Sequence, residues 1–308
     1  MHVVFRESHG LEETDTPIDL GQDPADLVVL SFSDSDLGAF AAGWHRGRDA
    51  LPSLRLANLV ALRHPLSVDT YVERTLSGAK GILIRLIGGE SYWSYGLAQL
   101  QDLCRRNAIA LAVLPADGRA DPRLDALSTL PVSTLRRLQT LCDEGGAVAA
   151  QAALQQLALA AGLYAPPVPG QKSVPPHGWY RPGQGVVPAP QADGRPLVVV
   201  TFYRSYLVAA DTDPVDAMIA ELERRGFAAI GAFAPSLKQP AAADWLRNEL
   251  ARLKPAAIVN ATAFSARGGD GAGSPLDVAG CPVFQVALST ARRRDWAEAE
   301  RGLSPADL

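Results

Sequence analysis

Apolar and polar positions alternate along this chain in two kinds of segment. Short, largely apolar runs occupy residues 25–32, 54–59, 81–87 and 109–114. Between them lie longer stretches whose apolar positions recur at helical spacing, through residue 50, over 68–77, over 92–106 and, as two or three helices, over 123–162. A strand buried on both faces reads as a continuous apolar run, whereas a half-exposed strand alternates. The runs therefore predict a parallel sheet with helices on both sides. Ser33, Asp34, Ser35 and Asp36 follow the first run and offer caps for a helix start.

The pattern breaks at residues 166–196, which are rich in proline and glycine. Proline fixes φ and removes an amide donor, so a helix or a central strand is not expected there. His177, Trp179 and Tyr180 fall inside this stretch. Free linkers are poor in such residues, so an extended connector whose aromatics pack on a domain is expected. Beyond it the pattern restarts: strands over 197–203, 228–233, 256–261 and 283–288, and helices over 213–225 and 241–253. Pro214 suits the first turn of a helix, where its missing amide leaves nothing unpaired, and Gly226 stops that helix. The expected fold class is α/β: two doubly wound parallel-sheet, flavodoxin-like units, at 1–165 and 197–308, joined by the 166–196 connector.

Composition narrows the function classes. Of 308 residues, 47% are apolar and 20% charged, with a net charge of −4. No global field attracts nucleic acid or an anionic membrane, and basic residues are scattered. Cys104, Cys142 and Cys281 are far apart and form no CxxC, which argues against a disulfide framework or a cysteine zinc site and for free thiols in a reducing compartment. The start of the chain has no basic segment followed by a long apolar run, and no apolar stretch reaches the roughly 20 residues that span a bilayer. A cytoplasmic protein is expected.

In open parallel sheets, ligands bind outside the carboxyl ends of strands, where the strand order reverses. Four candidates follow. Residues 85–93, Arg85 to Trp93 through Gly88 and Gly89, resemble neither a P-loop nor a dinucleotide fingerprint, and read first as a tight turn whose aromatics cover the sheet edge. Tyr203, Arg204 and Tyr206 leave a strand end; Arg presents a planar donor fork suited to carboxylates, or to a salt bridge that ties a loop down. Asn260, Thr262, Ser265 and Arg267 lead into a glycine-rich loop that belongs on the same edge if the strands are parallel. His2, His9, His45, His64 and His177 show no metal-ligand spacing, so no metal site is assigned, and His64-Pro65 reads as a turn. No GxSxG and no Walker A motif occurs, and catalytic residues stay unassigned.

Several of these segments also carry a family resemblance. Residues 54–59 through His64-Pro65-Leu66-Ser67-Val68-Asp69, and Arg85-Leu86-Ile87-Gly88-Gly89 followed by Tyr92-Trp93 and Tyr95-Gly96, resemble the N-terminal pattern of the CobN family of cobaltochelatase large subunits. Phe202-Tyr203-Arg204-Ser205, Ser236-Leu237-Lys238, residues 260–267 and residues 302–308 resemble motifs shared by that family and the magnesium chelatase large subunit. The resemblance implies a segment of a machine that inserts cobalt(II) into the corrin ring hydrogenobyrinic acid a,c-diamide during cobalamin synthesis. It implies that ATP is hydrolysed by two partner subunits, CobS and CobT, which suits the missing P-loop. It also implies an N-terminal fragment, because family members are far longer. On this reading Arg204 and Arg267 contact substrate carboxylates, with Tyr203, Tyr206 and Ser265 as accessory donors. The alternative is a non-catalytic scaffold or docking segment for the partner ATPases.

Overall fold

The computed structural model describes residues 16–263, 273–289 and 293–300. These divide into two compact units. One holds residues 16–173 with Val208–Ala210; the other holds the rest, from Val174 onward.

The first unit runs β1 (Leu27–Ser31), α1 (Asp34–Gly47), β2 (Leu54–Asn58), α2 (Pro65–Arg74), β3 (Gly81–Leu86), α3 (Ser94–Asn107) and β4 (Ala110–Pro115). Three further helices follow: α4 (Pro122–Leu127), α5 (Val132–Glu144) and α6 (Gly146–Ala160). The strands are all parallel, in the order β2-β1-β3-β4. Successive side chains on a strand point to opposite faces, and the core divides accordingly. Val28, Leu30, Ile82, Ile84, Leu111 and Val113 face α2, α3 and α4, where they meet Val68, Leu97, Leu100 and Leu124. Leu27, Val29, Leu83, Ala112 and Leu114 face the other way, onto Phe40 of α1, Leu135 and Leu138 of α5, and Leu154 and Leu157 of α6. Each fully buried leucine or isoleucine contributes roughly 1.5–3 kcal/mol, so the continuous apolar runs are the main source of stability.

Local chemistry sets the helix starts. Ser33 caps α1 by accepting the Asp36 amide at 3.3 Å. Helix α2 begins earlier than its apolar spacing predicts: His64 caps it through Nδ1, which accepts the Leu66 amide at 3.1 Å, and Pro65 occupies the first turn. Helices α1 and α6 approach closely at Gly43, where an added Cβ would lie 2.6 Å from the Gln151 nitrogen and 2.9 Å from the Ala147 oxygen. The run of buried alanines in α6 (Ala149, Ala150, Ala152 and Ala153) permits this approach.

The second unit runs β5 (Gly178–Arg181), β6 (Gly185–Val187), β7 (Leu197–Tyr203), α7 (Arg204–Ala209), α8 (Asp213–Arg224), β8 (Ala228–Ala234), α9 (Pro240–Leu253), β9 (Ala257–Asn260), β10 (Val283–Gln285) and α10 (Arg293–Glu298). The sheet order is β10-β9-β7-β8-β5-β6. Strands β7 to β10 are parallel, while β5 and β6 are antiparallel additions beyond β8. Two features differ from the sequence expectation. The proline-rich stretch supplies β5, which lies inside the sheet between β8 and β6; its four residues contain no proline, so every ladder amide is available. Its Trp179 and Tyr180 are buried, and the Trp179 indole donates to Glu249 at 3.3 Å. Secondly, Arg204–Ala209, which reads as a loop, is the short helix α7 following directly on β7.

Candidate functional site

Each sheet reverses its strand order once. In the first unit the chain passes from β1 out to β2 and returns to β3 on the other side of β1. The switch lies between β1 and β3, where Ser31 pairs in register with Arg85. Arg85 is 4% exposed, so its guanidinium sits inside the fold. Its Nε faces Asp36 Oδ2 at 3.2 Å, and its Nη2 donates to Asp143 Oδ1 at 3.1 Å. The Ser31 hydroxyl donates to Asp36 Oδ2 at 2.9 Å, and Nη1 of Arg85 has no hydrogen-bond partner among the described residues.

Burial works against the guanidinium charge, but the Cys142 sulfur, Asp36 and Asp143 outweigh it and hold the Arg85 pKa above its ordinary value. Burial pushes the Cys142 thiol up to about 11, against the pull of Arg85. At neutral pH that sulfur is a thiol and not a nucleophile. Burial likewise raises the Asp143 carboxyl, with Arg85 opposing and Asp36 and Asp117 reinforcing. The adjoining cavity, lined by Asp36, Ala39, Phe40, Cys142 and Ala150 among others, has a volume of only about 40 Å³. Ligand pockets usually measure about 300–1,000 Å³. This crevice is filled by its own ion cluster.

In the second unit β7 leads to β8 on one side, and β9 and β10 lie on the other, so the switch falls between β7 and β9. Thr201 and Asn260 pair there in register. A polar ladder crosses three strand ends. The Thr201 hydroxyl donates to Asn260 Oδ1 at 2.6 Å, and the Thr262 hydroxyl donates to the same oxygen at 2.9 Å. Asn260 Nδ2 donates to Gln285 Oε1 at 2.7 Å, and Gln285 Nε2 donates to the Thr262 carbonyl at 2.7 Å. Thr201, Asn260 and Thr262 are buried, and among the described residues no formal charge enters the ladder. Such a platform fixes the rim of the crevice and leaves charge recognition to the loops beside it.

The candidate residues fall as follows. Arg204 opens α7 at the end of β7; its Nε donates to the Pro175 carbonyl at 2.9 Å and its Nη2 to the Val174 carbonyl at 2.6 Å. Two of its three nitrogens thus hold the proline-rich segment. Tyr203 is the last residue of β7 and pairs with Ala234. Tyr206 is half-buried against the core around Phe202, and burial, with Asp211 and Tyr203, raises its phenol pKa. Ser265 and Arg267 lie outside the described residues, as does the 302–308 motif. Thr262 and Asn260 occupy the edge expected of them, the carboxyl ends of parallel strands.

Of the histidines, His64 caps α2, His45 meets the Trp44 ring at 5.3 Å, and His177 lies 4.9 Å from the Trp245 ring. His2 and His9 lie outside the described residues. Among the described residues no three His, Cys, Asp or Glu side chains gather as a metal site, and no helix is long and apolar enough to cross a membrane. A hollow of about 220 Å³, lined by Arg195, Leu197, Ala228, Leu253 and Lys254, opens at the amino ends of β7 and β8, the edge opposite the switch.

Sequence reasoning did not find the Arg85–Asp36–Asp143 cluster. Its members come from β3, α1 and α5, and no spacing rule links positions so far apart.

Comparison with known proteins adds to this geometry. A family model, CobN/Magnesium Chelatase, matches residues 136–308. Aerobic cobaltochelatase subunit CobN of a Sinorhizobium species is 35% identical over the whole chain, which covers 25% of that protein. The subunit of the same description from Pseudomonas aeruginosa is 34% identical, again over the whole chain and 25% of that protein. The chain therefore spans about a quarter of the length of these relatives. The solved catalytic subunit of cobaltochelatase from Mycobacterium tuberculosis superposes with a TM-score of 0.67, over 91% of this chain and 23% of that one, at 23% identity, a likeness of fold.

Proposed function

This chain belongs to the CobN/magnesium chelatase family, and on that premise we propose that it is the N-terminal, macrocycle-handling segment of an ATP-dependent cobaltochelatase large subunit. The complete subunit inserts cobalt(II), as substrate metal, into hydrogenobyrinic acid a,c-diamide on the route to cobalamin. CobS and CobT are the partner subunits that hydrolyse ATP, and the machine works in the cytoplasm. The observation that carries the reading is the likeness to two cobaltochelatase subunits over the whole chain.

Insertion of a metal into such a ring requires that ring nitrogens lose protons and that the metal loses bound water. A shaped, partly closed site lowers both barriers by holding the ring and limiting solvent. This segment's part is to hold. Arg204 keeps Nη1 beyond its two carbonyl bonds, and a guanidinium edge suits a ring carboxylate. Arg267 has the same role, with Tyr203, Tyr206 and Ser265 as accessory donors. A charge-assisted hydrogen bond contributes about 1.5–3 kcal/mol. Arg204→Ala in the full-length subunit is expected to weaken corrinoid binding roughly ten- to a hundredfold with an unchanged circular dichroism spectrum. Unchanged affinity in a fluorescence titration counts against the assignment.

A second reading, a scaffold that docks the partner ATPases, is favoured by the two bonds from Arg204 to the Val174 and Pro175 carbonyls. Those bonds have a structural use without any ligand. Co-purification with CobS and CobT, run beside the corrinoid titration, separates the two: capture of the ATPases without ring binding selects the scaffold.

A further inference from the structure

We propose that the outer edge of β10 is where a further β-strand of the full-length large subunit joins the second sheet, bringing apolar cover to Val283 and Phe284. The inference rests on the reading above that this chain is one segment of that subunit. It concerns a surface to which that reading assigns nothing.

Cover thins toward β10 on both faces of the sheet. Ladder partners share a face, so Val199, Ile258 and Val283 line one face and Val200, Val259 and Phe284 the other. On β7 both valines are fully buried, beneath Leu246 and Leu250 of α9 on the first face and Val215 and Ile219 of α8 on the second. On β9, Ile258 is still buried, but Val259 only partly. On β10, Val283 is 42% exposed and Phe284 57%. Parallel strands are ordinarily covered on both faces. Strand β10 thus has the side chains of a covered strand and the exposure of an open one.

The backbone edge is open as well. The Ile258 amide donates to the Pro282 carbonyl at 2.9 Å, and the Val286 amide donates to the Asn260 carbonyl at 3.0 Å. Alternate residues of a parallel strand bond to the same neighbour. Pro282, Phe284 and Val286 therefore turn their backbone groups toward β9, and Val283 and Gln285 turn theirs outward. Among the described residues nothing pairs with those outward N–H and C=O groups. A row of free donors and acceptors at strand spacing is matched by another extended backbone, so the edge itself selects a β-strand. Exposed edges are usually blunted by charge or by proline. No Asp, Glu, Lys or Arg occurs from residue 278 to residue 291, and Pro282 faces β9 rather than the open side. An edge left unguarded in this way suits a permanent partner.

The source of the strand follows from area. A second copy of the chain must hold by contact alone, and a stable interface covers about 800 Å² on each partner. Strand β10 has three residues, an edge of roughly 10 Å, which is too little. A strand tethered in the same polypeptide needs no such area, because linkage gives it a high effective concentration. This chain covers 25% of each cobaltochelatase relative, so a subunit of their length has chain enough to supply the strand and its cover.

The test is hydrogen exchange, resolved to single amides, on the 308-residue chain and on the full-length subunit. The Val283 and Gln285 amides are expected to exchange about tenfold or more slowly in the full-length subunit than in the chain. Fast exchange in both overturns the inference. Slow exchange in the 308-residue chain also overturns it: protection that grows with protein concentration makes the edge a contact between copies, and protection independent of concentration means that the chain closes its own edge. Phe284→Lys supplies a second readout. It is expected to leave the thermal midpoint of the 308-residue chain unchanged and to lower that of the full-length subunit, because only there does it bury a charge. An unchanged midpoint in the full-length subunit overturns the inference. A full-length subunit that binds the corrinoid while both amides stay fast overturns this inference and leaves the corrinoid reading standing. Protected amides in a subunit that binds no corrinoid support this inference and count against that reading.

Discussion

Arg85 brings one positive charge into the interior of the first sheet and meets two carboxylates there. Removing one partner of a buried ion pair costs more than the pair contributes, because the other charge stays behind unpaired. Arg85→Met is therefore expected to lower stability by about 3 kcal/mol, read as a fall in the thermal midpoint. Asp143 behaves differently. Burial raises its carboxyl pKa, with Arg85 opposing and Asp36 and Asp117 adding to the rise. A carboxyl raised above its unfolded value stabilises the fold in its protonated form. That contribution is fully present below the unfolded pKa of about 3.9 and is lost as the pH climbs through the folded value. Asp143→Asn leaves Arg85 with Asp36 alone, one charge against one. The variant is expected to equal or exceed the parent in thermal midpoint at pH 7 and to show a flatter profile between pH 4 and 7. A lower midpoint at pH 7 would show that the ionised pair is net stabilising.

Elements show which sequence signals were sufficient. Strands β1, β3, β4, β7 and β8 are legible because both faces are covered, so nearly every position is apolar. The ends of elements were less legible. Helix α2 starts at Pro65 because His64, an unusual cap, uses its ring nitrogen, a role that His64-Pro65 does not advertise. Helix α7 escaped because its six residues are too few for a periodic pattern, and because Arg204 is fixed by carbonyls near position 175. The packing of α1 on α6 depends on Gly43, which faces the Gln151 and Ala147 backbone. Overpacking costs about 1–3 kcal/mol, and backbone cannot rotate aside as a side chain can. Gly43→Val is expected to lower the unfolding free energy by that amount, read as a fall in the urea midpoint with an unchanged m-value.

At the scale of the whole molecule, two units have separate cores and separate switch points, and an ion cluster occupies the switch point of the first. The other carries a neutral hydrogen-bonded ladder through Thr201, Asn260, Thr262 and Gln285. Leaving buried partners unpaired costs about 1–3 kcal/mol for each group. Asn260→Ala is expected to raise hydrogen-exchange rates in β7, β9 and β10 while β1, β3 and β4 keep their protection. Equal loss in both sheets would mean that the two cores unfold as one.

The sequence by itself determined the α/β class, the parallel strands, the restart of the pattern after the proline-rich stretch and the family, because hydrophobic periodicity and local motifs are short-range properties. It also placed Asn260 and Arg204 at strand ends. Tertiary structure alone decided what those ends do: that Arg85 is neutralised by acids from α1 and α5, that Arg204 grips Val174 and Pro175, and that β5 enters the second sheet. Each of these depends on groups tens of residues apart in the chain. Their meeting is fixed by strand order and helix packing, which no local pattern encodes.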